Sequence, residues 1–312
     1  MAIGISPLVD FAFKQMLGNS KHAAVTIHFL NAILAGQPRI TAVKFLNPIL
    51  DKEFTDDKLS VLDVYATDEH GRHLNIEVQT SLPAGMSQRL TYYVAATYTG
   101  QLTEGQDYPT LRPSISICVL AQPMFFLPPA LHLDFRMRER STNLVLTDDL
   151  QIHLLQLNFL QVDAETVYNA SAMERWAWFL RNAESLTTGD VGRLFPDEEF
   201  TEAAGVLEMI AKTPEQLFAY NARLKSQRDE AARILFARQE GEQIGEARGE
   251  ARGEARGEAR GEARGEARGR INLLRELLCL PAWSEADFCS HDVTQLCAIA
   301  DQLQQQMRDG KS

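Results

Sequence analysis

The chain has 312 residues, 45% hydrophobic and 23% charged, the profile of a soluble globular protein long enough for two domains. A formal net charge of −11 excludes a chain-wide basic footprint for nucleic acid and leaves room only for a local basic groove. No basic-then-apolar leader opens the sequence and no stretch approaches a membrane span, so a cytoplasmic protein with no membrane partner is expected. Cys118, Cys279, Cys289 and Cys297 form no C-x-x-C, and buried reduced thiols are expected over disulfides or zinc.

Taken in order, Ser6-Pro7 predicts a helix start, because serine caps and proline fits the first helical position. Leu8, Phe11, Ala12 and Met16 give this helix an apolar face, and Gly18 can stop it. Asp10 and Lys14 lie one turn apart on it and are placed to pair. A second helix is expected from about His22 to Leu34. Ile40 to Leu50 reads as a strand, and Asp51 to Lys58 as a charged loop carrying Asp56 and Asp57.

Leu59 to Thr80 reads as a β-hairpin. Leu62, Val64 and Ala66 alternate with polar residues, as do Leu74, Ile76 and Val78 on the return. Gly71 supplies the positive φ that a three-residue loop with a bulge requires. Centred on His70, that loop sets Asp63 directly opposite Glu77, with Cβ atoms roughly 5 Å apart. Gln79 follows two residues on, on the same face. Facing carboxylates destabilise a sheet unless a cation sits between them. A hard divalent ion, Mg²⁺ or Mn²⁺, suits oxygen ligands of this kind. The alternative is a solvated polar face without metal. His70 and His73 fall at the turn, away from the acidic pair.

Pro83-Ala84-Gly85 breaks the chain before a helix from Met86 to Leu102. It carries Arg89, Tyr92, Tyr93 and Tyr98, and the tyrosines are expected to pack on the sheet. Ser114 to Ala121 is apolar enough for a strand buried on both faces. Leu131 to Arg138 and Gln151 to Asn158 read as a strand pair. Arg136, Arg138 and Arg140 make a basic face there, either for phosphates or as a solvated edge. From Asp163 to Phe236 the code is helical, with Trp176, Phe179, Leu180, Val206, Leu207 and Ile210 as core and no catalytic constellation.

Residues 246–269 are six unbroken copies of Glu-Ala-Arg-Gly. Each glycine costs a helix roughly 1 kcal/mol against alanine, and like charges recur at i,i+4. Two readings stay open: a helical stalk that self-associates along its glycine row, or a flexible tether. Ile271 to Met307 resumes a helical pattern, with Leu273, Leu274, Leu277 and Leu278, a Ser284/Asp287 capping box, and Asp292 as a cap. So short a segment is too small for a core of its own, and burial by self-association is expected.

The ordered set of helix, strand, Asp-bearing hairpin, helix and strand resembles the αβββαβ core of the PD-(D/E)XK nucleases. More closely, the chain resembles the recombination-promoting nuclease (Rpn) family, also called PD-(D/E)XK nuclease family putative transposases. The matching stretches are Asp10-Phe-Ala-Phe-Lys14, Asp57 to Val64, Asn75-Ile-Glu77-Val-Gln79 and Arg89-Leu-Thr-Tyr-Tyr93. The resemblance covers roughly Ser6 to Asn158 and implies an α/β fold with a nuclease core at 1–160; the residue patterns above divide the rest into a helical support region at 161–236, a repeat stalk or linker at 237–270 and a helical oligomerisation segment at 271–312.

The resemblance further implies a Mg²⁺-dependent DNA endonuclease, with Mn²⁺ as a second suitable ion, acting in recombination, mobile-element or phage-defence biology. Asp63, Glu77 and the Val78 carbonyl would hold the metal. Gln79 stands where the broader superfamily has lysine and would orient water without supplying charge. Asp10, Lys14, Arg89 and Tyr92 fall in the matching stretches as accessory residues. DNA is the implied partner, together with a second copy of the chain through 237–312. A separately made C-terminal fragment would act as an inhibitor. The competing readings are a degenerate nuclease fold that only binds nucleic acid or protein, and an RNA-directed nuclease using the same residues.

Overall fold

The structure is a computed structural model that describes residues 1–46 and 63–309, so the expected loop acids Asp56 and Asp57 lie outside the described residues. Two units are resolved, Met1–Ile234 and Leu235–Ser312.

The first unit is built on a mixed six-stranded sheet. Its strands are β1 (Val43–Phe45), β2 (Val64–Asp68), β3 (His73–Gln79), β4 (Ser114–Leu120), β5 (His132–Arg138) and β6 (Val145–Gln156). They lie in the order β1-β2-β3-β4-β6-β5. β3, β4 and β6 run parallel; the remaining pairs are antiparallel. β4 is buried along its whole length, as expected of an apolar strand covered on both faces.

The β2–β3 hairpin has the expected register. Val64 pairs with Ile76 and Thr67 with His73, which sets Asp63, one residue before Val64, level with Glu77. The Gly71 N–H donates to the Asp68 carbonyl at 3.0 Å, closing the three-residue loop. Gly71 has φ +78°, a conformation that costs other residues their Cβ freedom. Because side chains alternate, Leu74, Ile76 and Val78 enter one core while Asn75, Glu77 and Gln79 face the other way.

The larger core covers the first face. Helices α1 (Asp10–Leu17) and α2 (Ala23–Ile33) pack there. The face opposite is covered by α3 (Met86–Thr99), whose Met86 and Leu90 bury against Cys118, Leu120 and Leu154. The larger core is completed by α4 (Ala172–Asn182), α5 (Thr188–Leu194) and α6 (Glu198–Lys212). Trp176 sits at its centre, with ring centroids 4.5 Å from Phe200 and 5.5 Å from Phe29. This bears out the sequence expectation for Trp176, Phe179, Val206 and Ile210, all buried.

Several local expectations are corrected. The first helix begins at Asp10: Ser6 to Val9 form a turn, with the Val9 N–H donating to the Ser6 carbonyl at 3.3 Å. Within the described residues the first strand is only Val43–Phe45. β6 starts at Val145, six residues before its expected start, because it pairs along all of β5. Arg136 is not part of an open basic face, since Asp134 and Asp148 hold its guanidinium. His73, at the turn as expected, is held there, its Nδ1 2.6 Å from the Tyr65 hydroxyl. All four cysteines are free, but only Cys118 is buried, and Cys279 and Cys289 are exposed.

Helix α7 runs from Pro214 to Leu277 and includes the whole Glu-Ala-Arg-Gly repeat. In the second unit its last turns pack against α8 (Glu285–Cys289) and α9 (Val293–Asp309). The core there is Ala267, Ile271, Leu274, Phe288, Leu296, Ala300 and Leu303. The expectation that a single chain leaves this apolar face uncovered is therefore corrected. The turn after Leu277 brings α9 back onto it, and the Ser284/Asp287 capping box starts α8 as expected. Leu273, Leu277 and Leu280 remain exposed. No helix among the described residues is long and apolar enough to cross a membrane.

Candidate metal-dependent active site

The site forms where β2 begins and β3 ends. Asp63 stands in the bend before β2, and its Oδ2 accepts a hydrogen bond of 3.1 Å from the Val78 N–H. That contact ties the start of one strand to the end of the other and holds the aspartate beside Glu77. Val78 turns its side chain into the opposite core, so its peptide lies at the site while its isopropyl group anchors it.

Two cations approach the acidic pair from helices on the two faces of the sheet. Lys14 of α1 brings Nζ to 3.2 Å from Asp63 Oδ1. α1 can lie this close because residue 18 is glycine: a Cβ there would sit 2.8 Å from the Lys14 carbonyl and 3.2 Å from Val64 Cγ2. Arg89 of α3 brings Nη2 to 3.5 Å from Glu77 Oε2. Its Nε donates to the Tyr93 hydroxyl at 3.1 Å, one helical turn on.

Glu77 is 1% exposed. Burial pushes its carboxyl up to about 7, the Asn75 hydrogen bond works against this, the charge of Asp63 adds to it, and Arg89 and Lys14 pull it back. Burial also raises Asp63, opposed chiefly by Lys14 and the Val78 N–H. Arg89 lies above its usual value: burial works against its charge, and Glu77 and Tyr93 more than compensate. Asn75 Nδ2 donates to Glu77 Oε1 at 3.1 Å and to Ser116 Oγ at 3.4 Å. Glu77 Oε2 and Asn75 Oδ1 are buried with no hydrogen-bond partner.

The structure thus brings together Asp63, Glu77, Val78, Lys14 and Arg89. Gln79 follows on the same face at the strand end, its main-chain carbonyl accepting from the Ala121 N–H at 2.9 Å. Two accessory expectations are corrected. Asp10 does not pair with Lys14; it accepts from the Phe11 N–H and faces Arg223 at 3.9 Å, touching the site only by raising Asp63 through its charge. Tyr92 is half exposed and stacks edge-on against Tyr93, and it is Tyr93 that holds Arg89. Asn75 and Ser116 were not expected. Asn75 was within reach of sequence reasoning, being two residues before Glu77 on the same strand face.

The model of the PD-(D/E)XK nuclease family transposases matches residues 7–237. The chain belongs to this family. No curated protein and no solved structure matches it. Membership makes the chain a member of a nuclease-type hydrolase family, and the mixed α/β sheet is consistent with the PD-(D/E)XK fold. The match spans all of Lys14, Asp63, Glu77, Gln79 and Arg89.

PD-(D/E)XK nucleases typically use divalent metals, and the residues present fit one. The donors are all oxygen, and Glu77 Oε2, buried with no hydrogen bond and with Arg89 no closer than 3.5 Å, keeps lone pairs that a closer cation can take up. Among the described residues no group of three or more His, Cys, Asp or Glu could hold a metal. Two carboxylates suffice for Mg²⁺, which keeps several waters and takes substrate phosphate oxygens as ligands.

Proposed function

We propose that this PD-(D/E)XK family member is a Mg²⁺-dependent endonuclease that hydrolyses DNA phosphodiesters through Asp63 and Glu77, with Mn²⁺ as a second suitable ion. The observation that supports it most is the buried acidic pair itself: Glu77 Oε2 accepts no hydrogen bond and meets only the Arg89 guanidinium at 3.5 Å among the described residues, beside Asp63. A divalent ion bound there would polarise the scissile phosphate and lower the pKa of its water.

The chain's own residues supply the rest. Asp63, Glu77 and the Val78 carbonyl would hold the ion, and the Val78 N–H keeps Asp63 turned toward it. Asn75 orients Glu77 by fixing Oε1 and leaving Oε2 without a hydrogen bond. Gln79 would orient the attacking water through its carboxamide, which carries no charge. Arg89, braced by Tyr93, supplies fixed positive charge for the substrate phosphate.

Residues 237–312 are proposed to bring two copies together, through exposed Leu273 and Leu277 and the glycine row of α7. Apart from the adjoining residues and backbone of the helix itself, no heavy atom lies within 4 Å of the Cβ positions of the glycines from Gly241 to Gly269, which leaves that row open to a second helix. A separate C-terminal fragment would then form mixed oligomers and inhibit. Action on DNA in recombination, mobile-element or defence biology inside the cytoplasm follows from the same reading. Supercoiled plasmid and labelled RNA incubated with full-length protein in Mg²⁺ or EDTA test the proposal. Nicking of the plasmid in Mg²⁺ alone is expected; cleavage of RNA only would redirect it.

A further inference from the structure

We propose that Lys14 is an exchangeable counter-ion: it holds Asp63 until a divalent ion binds, and is then released to the substrate phosphate. This rests on the reading of Asp63 and Glu77 as the metal pair. Asp63 Oδ2 is engaged by the Val78 N–H, and Oδ1 by Lys14 Nζ at 3.2 Å. A divalent ion held by Asp63 and Glu77 would therefore compete for carboxylate oxygens that Lys14 and Arg89 already face at 3.2 and 3.5 Å. Cations crowded on one carboxylate pair repel in a partly buried site, which favours release of the more loosely held one.

The surroundings decide which. Arg89 is braced by its hydrogen bond to the Tyr93 hydroxyl and lies over the Tyr93 ring, 5.3 Å from its centroid. Lys14 has Asp63 as its one ion-pair partner among the described residues; its side chain is no more exposed than that of Arg89, 32% against 34%, so bracing and not burial separates the two. Its main chain is held, since the Gly18 N–H donates to its carbonyl at 2.7 Å. Release is therefore a swing of a flexible four-carbon stem about a fixed helix. The displaced ammonium stays beside the acidic pair, where a phosphate bound to the ion would meet it. A positive charge is thereby delivered to a site whose Gln79 carries none, and only once the ion is in place.

The test uses the full chain at pH 8. Mg²⁺ binding is measured by calorimetry for wild type, Lys14→Met and Asp63→Ala. Lys14→Met should bind Mg²⁺ about tenfold more tightly, as expected when a unit charge is removed beside a partly exposed ion. Its affinity for a short fluorescent DNA duplex in Ca²⁺ should fall severalfold. A structural role for Lys14 would weaken both. In wild type, acetylation of Lys14 followed by mass spectrometry should rise on adding Mg²⁺, and should not respond to Mg²⁺ in Asp63→Ala. If Mg²⁺ binds wild type and not Asp63→Ala, yet Lys14 labelling stays flat or Lys14→Met binds Mg²⁺ no tighter, the exchange is overturned and the metal site stands. If wild type binds no Mg²⁺, both are overturned.

Discussion

Glu77→Gln removes the charge from a side chain that is 1% exposed while keeping its shape and its contact with Asn75. Burial lifts the Glu77 carboxyl from 4.5 to about 7. A carboxyl raised in the folded state binds its proton more tightly there than in the unfolded chain. The stability this contributes is therefore present in full below 4.5 and is lost as pH rises through about 7. At about 1.4 kcal/mol per pH unit, that rise makes ionised Glu77 cost the fold about 3 kcal/mol at pH 8. Glu77→Gln should be more stable than wild type by about that amount at pH 8, and by under about 1 kcal/mol at pH 5. Urea unfolding in EDTA, followed by the fluorescence of buried Trp176 and Trp178, measures both differences. Adding Mg²⁺ at pH 8 should stabilise wild type and leave Glu77→Gln unmoved. A variant less stable than wild type at pH 8, or a difference that does not change with pH, would refute the reasoning.

Gln79→Ala should lower turnover more than Mg²⁺ affinity, measured by single-turnover cleavage against calorimetry; Gln79→Lys adds a charge at nearly matched length and should recover turnover. Gly71→Ala forces a side chain into φ +78° against Arg112 and should cost about 1–2 kcal/mol in the same urea assay. Trp176→Ala opens the centre of the larger core and should cost about 3–5 kcal/mol. Full-length protein should scatter light as at least a dimer, and a chain ended near Phe236 as a monomer; two monomers across the micromolar range would make the tail a tether.

The hairpin was legible because period-two alternation and one obligatory glycine determine its register, and the register alone sets Asp63 level with Glu77. The cations were legible as accessory residues, but not their partners. Lys14 and Arg89 lie in helices on the two faces of the sheet, so which carboxylate each meets depends on how α1 and α3 dock. Sequence spacing favoured a same-helix pair of Asp10 with Lys14. Asp10 instead accepts from the Phe11 N–H, one of the free donors of the first turn, a local demand that outweighs a surface ion pair. Tyr93 and Tyr92 are neighbours in sequence, and only the helix rotation fixed by Met86 and Leu90 decides which supports Arg89. In the tail, apolar periodicity showed that Ile271 and Leu274 must be covered. It carried no information on whether α9 of the same chain or a second chain covers them, since both satisfy the same pattern.

The most direct measurement compares wild type and Asp63→Ala on supercoiled plasmid in Mg²⁺. Wild type should nick it, and the variant should fold normally yet lose activity by a factor on the order of 10²–10³, the consequence of losing an ion worth several kcal/mol to the transition state. Equal Mg²⁺-dependent nicking by both proteins would contradict the assignment of this site.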